Sequence, residues 1–318
     1  MNHISASGEF EKRPDRSDLF LCLFLLPLYF FIWGRFGQKF AAGALISLST
    51  GAGCWLLALI FKSAGPSANS ATDRFGWGLF LLFPLFCPLA LPLWLIPIIL
   101  IAAYLLTYSS FGGCGRHIFN PVAVAVVFML VGYGHTASLH PVRPLPGPYD
   151  GFKVWNAGMP SAKPVWETYA EVGPEFLVEA SYSGLLPALP GSAFGLPLLA
   201  ASAALALLGR RRRVWWVVAV LSVQLATLLV AGWSDLDISA LHPLLLGIVP
   251  GLLLIAVFDE VSLPEDLVGQ VISALLFSSL AIVFIFRSEN LLGPVYALLL
   301  AQITAPLLTD LLMRRGIN

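Results

Sequence analysis

Apolar runs about as long as a bilayer is thick recur along this whole chain. Residues 18–34, 40–61, 192–208, 214–232, 239–258, 267–286 and 290–312 each come near the ~20 residues that a helix needs to cross the hydrocarbon core. Within lipid no water is available to backbone N–H and C=O groups, so such runs must bond internally as helices. Only 11% of the residues are charged, against roughly 25% in soluble domains. The expected fold is therefore an all-α integral membrane protein. The stretch 76–108 is too long for one crossing and carries Pro84, Pro88, Pro92 and Pro97. It divides into 76–90 and 91–108, the first part broken or re-entrant. With 118–133, the total is about ten transmembrane helices.

Positive charge gives the orientation. With both termini in the cytoplasm, the inner side receives Lys12, Arg13, Arg16, Lys62, Arg74, Arg116, Arg210 to Arg213, Arg314 and Arg315, which is twelve of the 18 Lys and Arg. The outer side keeps Arg35, Lys39, Arg143, Lys153, Lys163 and Arg287. The excess fits the positive-inside rule, and the Arg210–Arg213 block dominates it. Residues 1–17 then read as a cytoplasmic tail rather than a signal peptide. A net charge of zero leaves no nucleic-acid footprint.

The long hydrophilic segment 134–191 falls outside and divides the chain into a first five-helix repeat, 18–133, and a second, 192–318. Its Tyr149, Phe152, Trp155, Trp166 and Tyr169 predict a compact lid or partner surface. The halves share features: "FNPVAVAVVF" (119–128) and "LGPVYALLLA" (292–301) each place Pro-Val at a helix start, and each half has a Pro-interrupted run two helices earlier. Odd span numbers would invert one half relative to the other, with broken third and eighth spans. Inverted repeats with broken helices build polar paths through membranes. Asn120, His242, Asp259 and Gln302 are the candidates to line one.

"GGCGRHIFNP" (112–121) sits between two strongly apolar stretches. Glycines permit close backbone approach, and Asn-Pro launches a helix. Gly112, Gly113, Gly115, Arg116, His117 and Asn120 could hold an anionic cofactor group; alternatively the glycines serve packing between the repeats. His135, His140 and Asp150 lack metal-site spacing, so no metal site is expected. Cys22, Cys54, Cys87 and Cys114 have no redox or metal spacing and read as buried small hydrophobes. Trp33, Trp77, Trp94, Trp215, Trp216 and Trp233 fit interfacial belts near span ends.

"GGCGRHIFNPVAVAVVF" resembles the Gly-Gly-x-Gly-x-x-x-x-Asn-Pro-Ala signature of the NqrB/RnfD family, with Val122 in place of Ala. Its members are membrane subunits of the Rnf complex and of the sodium-pumping NADH:quinone reductase. "FDEVSLPED" (258–266) is similar to that family's Asp-Pro-Val-Thr-x-Pro loop, keeping Asp259, Val261 and Pro264, with Ser262 for Thr. The resemblance implies ten spans in inverted halves and a place among the membrane and redox subunits of an ion-pumping electron-transport complex. It also implies an FMN esterified to the threonine of a Ser-Gly-Ala-Thr sequence on the outer side. Here "SYSGLLPALPG" (181–191) keeps Ser183 and Gly184 but has Leu185 and Leu186 where Ala and Thr would stand. Covalent FMN is therefore not expected, although a non-covalent flavin has room. The family's Gly-Glu step at the sixth span is Gly195-Leu196, and its Asp-Gly-Ser opening of the third span is "DRFGW".

Three functions follow from this pattern. The first is a membrane subunit of an Rnf- or Nqr-like ion-translocating system without its own covalent flavin, at most one part of an oxidoreductase or translocase. The others are a small-solute or ion carrier on the same scaffold, and a non-catalytic accessory protein of a specialised, enediyne-type biosynthetic pathway. The intact mass of the purified protein is expected to show no FMN adduct, and an adduct on any residue of 181–191 would overturn that expectation.

Overall fold

The structure is a computed structural model, and it describes residues 16–63, 75–111, 116–133, 142–156, 174–186, 188–234, 241–245, 248–287 and 292–314. Helices dominate. They are α1 (Arg16–Phe36), α2 (Gln38–Ser63), α3 (Trp77–Phe86), α4 (Leu95–Tyr104), α5 (Pro121–Tyr133) and α6 (Pro174–Ser183), followed by α7 (Gly195–Ala206), α8 (Arg210–Ser234), α9 (Val249–Phe258), α10 (Leu267–Arg287) and α11 (Pro294–Arg314). Among the described residues there is no strand, only one antiparallel bridge between Val142 and Ala188. α2, α8 and α10 are long and apolar enough to cross a membrane. Every apolar run read from the sequence contains a helix, and the protein is an integral membrane protein.

The interior belongs to short helices. All of Val249–Val257 in α9 is buried, as is almost all of α3. A helix apolar all round has no face to give to a polar phase and is at home either in the protein core or in lipid; these two lie in the core. α9 packs on α3, α7 and α11, while α8 and α10 pack against each other and expose more of their surface. Ser278 of α10 donates to the Ala219 carbonyl of α8 at 3.0 Å, the close polar contact expected between helices in an apolar medium.

Proline explains why these inner helices are short. Pro84 lies inside α3, and the chain leaves the helix at Cys87. Tight turns follow, with Leu91 N–H bonded to Pro88 O and Leu95 N–H to Pro92 O, each at 3.1 Å. Proline lacks an N–H and clashes with the preceding turn, so an unbroken helix through 84–92 is excluded. A single turn, His242–Leu245, precedes α9, which has proline in its first turn. The α3 helix is thus interrupted after Phe86, and a bend at Ile248 precedes α9; residues 246 and 247 lie outside the described ones.

Part of the segment 134–191 clamps the junction of α1 and α2. Phe152 packs on Phe30 and Trp33, and Gln38 N–H and Lys39 N–H donate to the Val154 and Trp155 carbonyls at 2.9 and 2.8 Å. Trp166 and Tyr169 lie outside the described residues, as do His135 and His140.

Two expectations need correction. Cys22 is exposed and Cys54 and Cys87 are half-buried; Cys114 lies outside the described residues. In lipid the outer face of a helix is as apolar as its inner face, so apolarity does not mark burial. Trp215 is wholly buried on Phe277 rather than placed in a belt. Trp216 bonds through Nε1 to Ser202 Oγ at 2.9 Å.

α7 meets the turn before α9 at a glycine. A Cβ on Gly195 would stand 1.9 Å from the Leu245 carbonyl oxygen, whereas one on Gly232 would meet nothing within 4 Å. Gly195→Ala is expected to destabilise the protein by about 1–3 kcal/mol and Gly232→Ala to leave it unchanged or slightly more stable. Thermal unfolding in detergent reads both.

Candidate functional site

The Asn-Pro step builds the site. Pro121 is the first residue of α5, where its missing N–H costs nothing. Asn120 caps the helix: its Oδ1 accepts from Val122 N–H at 3.0 Å and Ala123 N–H at 3.2 Å. The cap turns the amide nitrogen toward the end of α9. There Nδ2 donates to the Ile255 carbonyl at 2.9 Å and to Asp259 Oδ2 at 3.2 Å. The Ile255 carbonyl also accepts from the Asp259 backbone N–H at 3.2 Å, so the amide is its second donor.

Asp259, the residue after α9, gathers the remaining groups. His117 Nε2 lies 2.9 Å from its Oδ1, and the edge of Tyr108 meets the imidazole face-to-edge with ring centres 5.0 Å apart. Asn120 N–H donates to Gln302 Oε1 at 2.9 Å, Gln302 Nε2 to Ser262 Oγ at 2.9 Å, and Ser262 Oγ to the Asp259 carbonyl at 3.1 Å. The bonds close a ring through α5, the 259–262 loop and α11. Its members are buried: Asn120 is 1% exposed, Gln302 2%, His117 3%, Ser262 4% and Asp259 9%. A buried carboxylate is tolerated only when paired and fully hydrogen-bonded. The N-terminus of α5, positive by its dipole, adds to that pairing.

Charged residues rim the ring. Arg212 pairs with Glu260 at 3.1 Å, and Arg211 with the exposed Glu265 at 3.0 Å. The arginine block and the acidic loop thus share one end of the helices. Gln302 stands about 12 Å along α11 from Pro294 at 1.5 Å per residue.

Of the residues proposed from sequence for the transport path, the structure joins Asn120, Asp259 and Gln302. His242 is buried but precedes α9, about 15 Å of helix away from Asp259. Of the proposed anion loop, Gly112, Gly113 and Gly115 lie outside the described residues; Arg116 is exposed, and His117 turns to Asp259. Sequence reasoning missed Ser262 and Tyr108 as members. Ser262 carried a signal, since it stands where the resembling loop has a hydroxyl-bearing threonine; Tyr108 had none.

Ser183, Gly184 and Leu186 lie at the other end of α7 from the arginine block. Gly184 takes φ +69°, and a Cβ there would meet the Phe194 ring at 2.2 Å; only glycine fits without strain. Leu186 is 1% exposed. The hydroxyls nearby are Ser181, which donates to the Val178 carbonyl at 3.0 Å, and Ser183, which points to the Ala180 carbonyl at 3.4 Å. Leu186 presents only aliphatic carbon at this turn and has no oxygen of its own to esterify.

A family profile decides the kinship: that of the NQR2, RnfD, RnfE family matches residues 11–318. The chain belongs to that family. The glycine-rich loop, the Asn120 cap, the Asp259 loop and the Ser183-Gly184 turn of this NQR2, RnfD, RnfE family chain all fall inside the matched region. The D component of the ion-translocating oxidoreductase complex of Actinobacillus pleuropneumoniae serotype 5b (strain L20) is 32% identical over 108 residues, which are 34% of this chain and 29% of that protein.

Because the Asn120 side chain caps α5 and bonds to the end of α9, Asn120→Ala is expected to cost about 1–3 kcal/mol. Combined with Asp259→Ala, which removes the carboxylate that the Asn120 amide donates to, it should show a coupling of about 0.5–3 kcal/mol. A double-mutant cycle on thermal unfolding measures the coupling; strict additivity would deny the bridge.

Proposed function

We propose that this protein is a membrane subunit of an ion-translocating electron-transport complex of the Rnf or Nqr type, acting without covalent FMN. The family match over 11–318 carries the reading. The named relative, a component of an ion-translocating oxidoreductase complex, supports it over a third of the chain. In this reading the helices make ten crossings in two inverted halves, with both termini in the cytoplasm of a bacterial inner membrane. The redox groups reside on partner subunits.

The role assigned to this chain's own residues is ion handling at the Asp259 ring. An ionisable group within a membrane is costly and marks an ion or proton route. Asp259 supplies the charge, His117 a second proton-holding group, and Asn120, Gln302 and Ser262 neutral oxygens such as hard cations take. His242, on the far side of α9, is assigned to the same route nearer its other opening.

Purification of the tagged chain from native membranes tests the subunit role. Iron–sulfur and flavin partners should copurify, and electron transfer in reconstituted vesicles should drive ion uptake. Asp259→Asn, which keeps the shape and loses the charge, should cut uptake about tenfold or more while assembly and electron transfer persist. Isolation without redox partners would overturn the subunit role; full uptake by the Asp259→Asn complex would remove Asp259 from the route.

A further inference from the structure

A second buried charge lies at the end of the molecule away from the ring. Arg35, in the last turn of α1, is 8% exposed. Its Nη1 donates to the Leu145 carbonyl at 2.9 Å and to that of Pro146. Among the described residues no carboxylate pairs with it. Asp150, the acid whose field reaches Arg35, accepts instead from Gly147 N–H at 2.9 Å. Backbone carbonyls occupy one terminal nitrogen of the guanidinium, and Asp150 acts on its charge only through space.

Beside Arg35 is a cavity of about 310 Å³ between α1, α6 and α7, walled by Phe24, Leu28, Phe31, Tyr182, Phe194 and Pro197. Phe31 and Tyr182 at its mouth are 50% and 68% exposed, and Leu23 and Leu26 on α1 are exposed as well. The opening is thus on the apolar outer surface of the helices, the surface that faces lipid. One buried cation at the head of an aromatic and aliphatic slot is complementary to an anion carrying a hydrocarbon chain.

We propose that this cavity seats an anionic phospholipid, with its phosphate on Arg35 and the upper part of one acyl chain between α1 and α7. The planar guanidinium donates to phosphate oxygens in a paired fashion, and that pairing relieves a buried charge that no side chain neutralises. A free anion would gain nothing from the Phe24, Phe31 and Phe194 walls. A zwitterionic lipid would bring its own cation against Arg35. This inference does not rest on the ion-handling reading of the Asp259 ring.

Native mass spectrometry of the detergent-purified full chain, titrated with phosphatidylglycerol, phosphatidylcholine, inorganic phosphate and FMN in separate arms, tests it. Phosphatidylglycerol should bind saturably and the other three at least about tenfold more weakly. Arg35→Gln should abolish the preference. Ser183→Trp, which fills the slot and leaves the Arg35–carbonyl bonds in place, should abolish binding while thermal unfolding stays cooperative. Equal binding of the two lipids, retention of phosphatidylglycerol by Ser183→Trp, or displacement of the lipid by FMN would each overturn the assignment.

Discussion

A carboxylate held away from water governs how the inner helices of this protein meet. Asp259 ends α9, at the negative pole of that helix dipole, where an anion is least welcome. It persists because His117, Asn120 and the start of α5 converge on it from another part of the chain. Gln302 and Ser262 satisfy the backbone groups around it. Removing any member leaves a buried polar group unpaired, and the penalty for that exceeds the net gain from a single bond. The geometry of α5, α9 and α11 is thus tied to one acid.

Such a site requires helix ends inside the protein. A continuous helix satisfies its own backbone and offers little to a neighbour, whereas a broken one presents free N–H or C=O groups. The Asn-Pro step before α5 creates one of those ends, and the C-terminus of α9 at Phe258 is the other. The long helices α2, α8 and α10 expose more of their surface. Continuous helices around broken ones reconcile an apolar exterior with a polar interior.

The two ends of the molecule carry different chemistry. At one, arginines and acids rim the Asp259 ring. At the other, the Ser183-Gly184 turn keeps its backbone shape while Leu186 packs into the core without an oxygen. The turn is held by steric fit, because the φ of Gly184 and the Phe194 contact do not depend on a hydroxyl.

The apolar runs alone determined that this is a helical membrane protein, where its helices fall and where proline breaks them, since each follows from local composition and a missing N–H. Asn120 and Gln302 were legible as polar residues next to or within apolar runs, and Asp259 as part of the acidic 259–266 loop. Which partners they take was not legible. The bonds from Asn120 to Asp259 and Gln302 span 139 and 182 residues, and no local rule pairs groups so far apart. His117 read as part of an anion loop, and the fold sets it on a carboxylate; His242 read as a path residue, and the length of α9 places it away from Asp259. Arg35 read only as a topology charge, and its cavity exists because α1, α6 and α7 converge. Side-chain chemistry and local backbone limits are written in the order of residues; adjacency between distant segments is set by packing, and only the tertiary structure decides it.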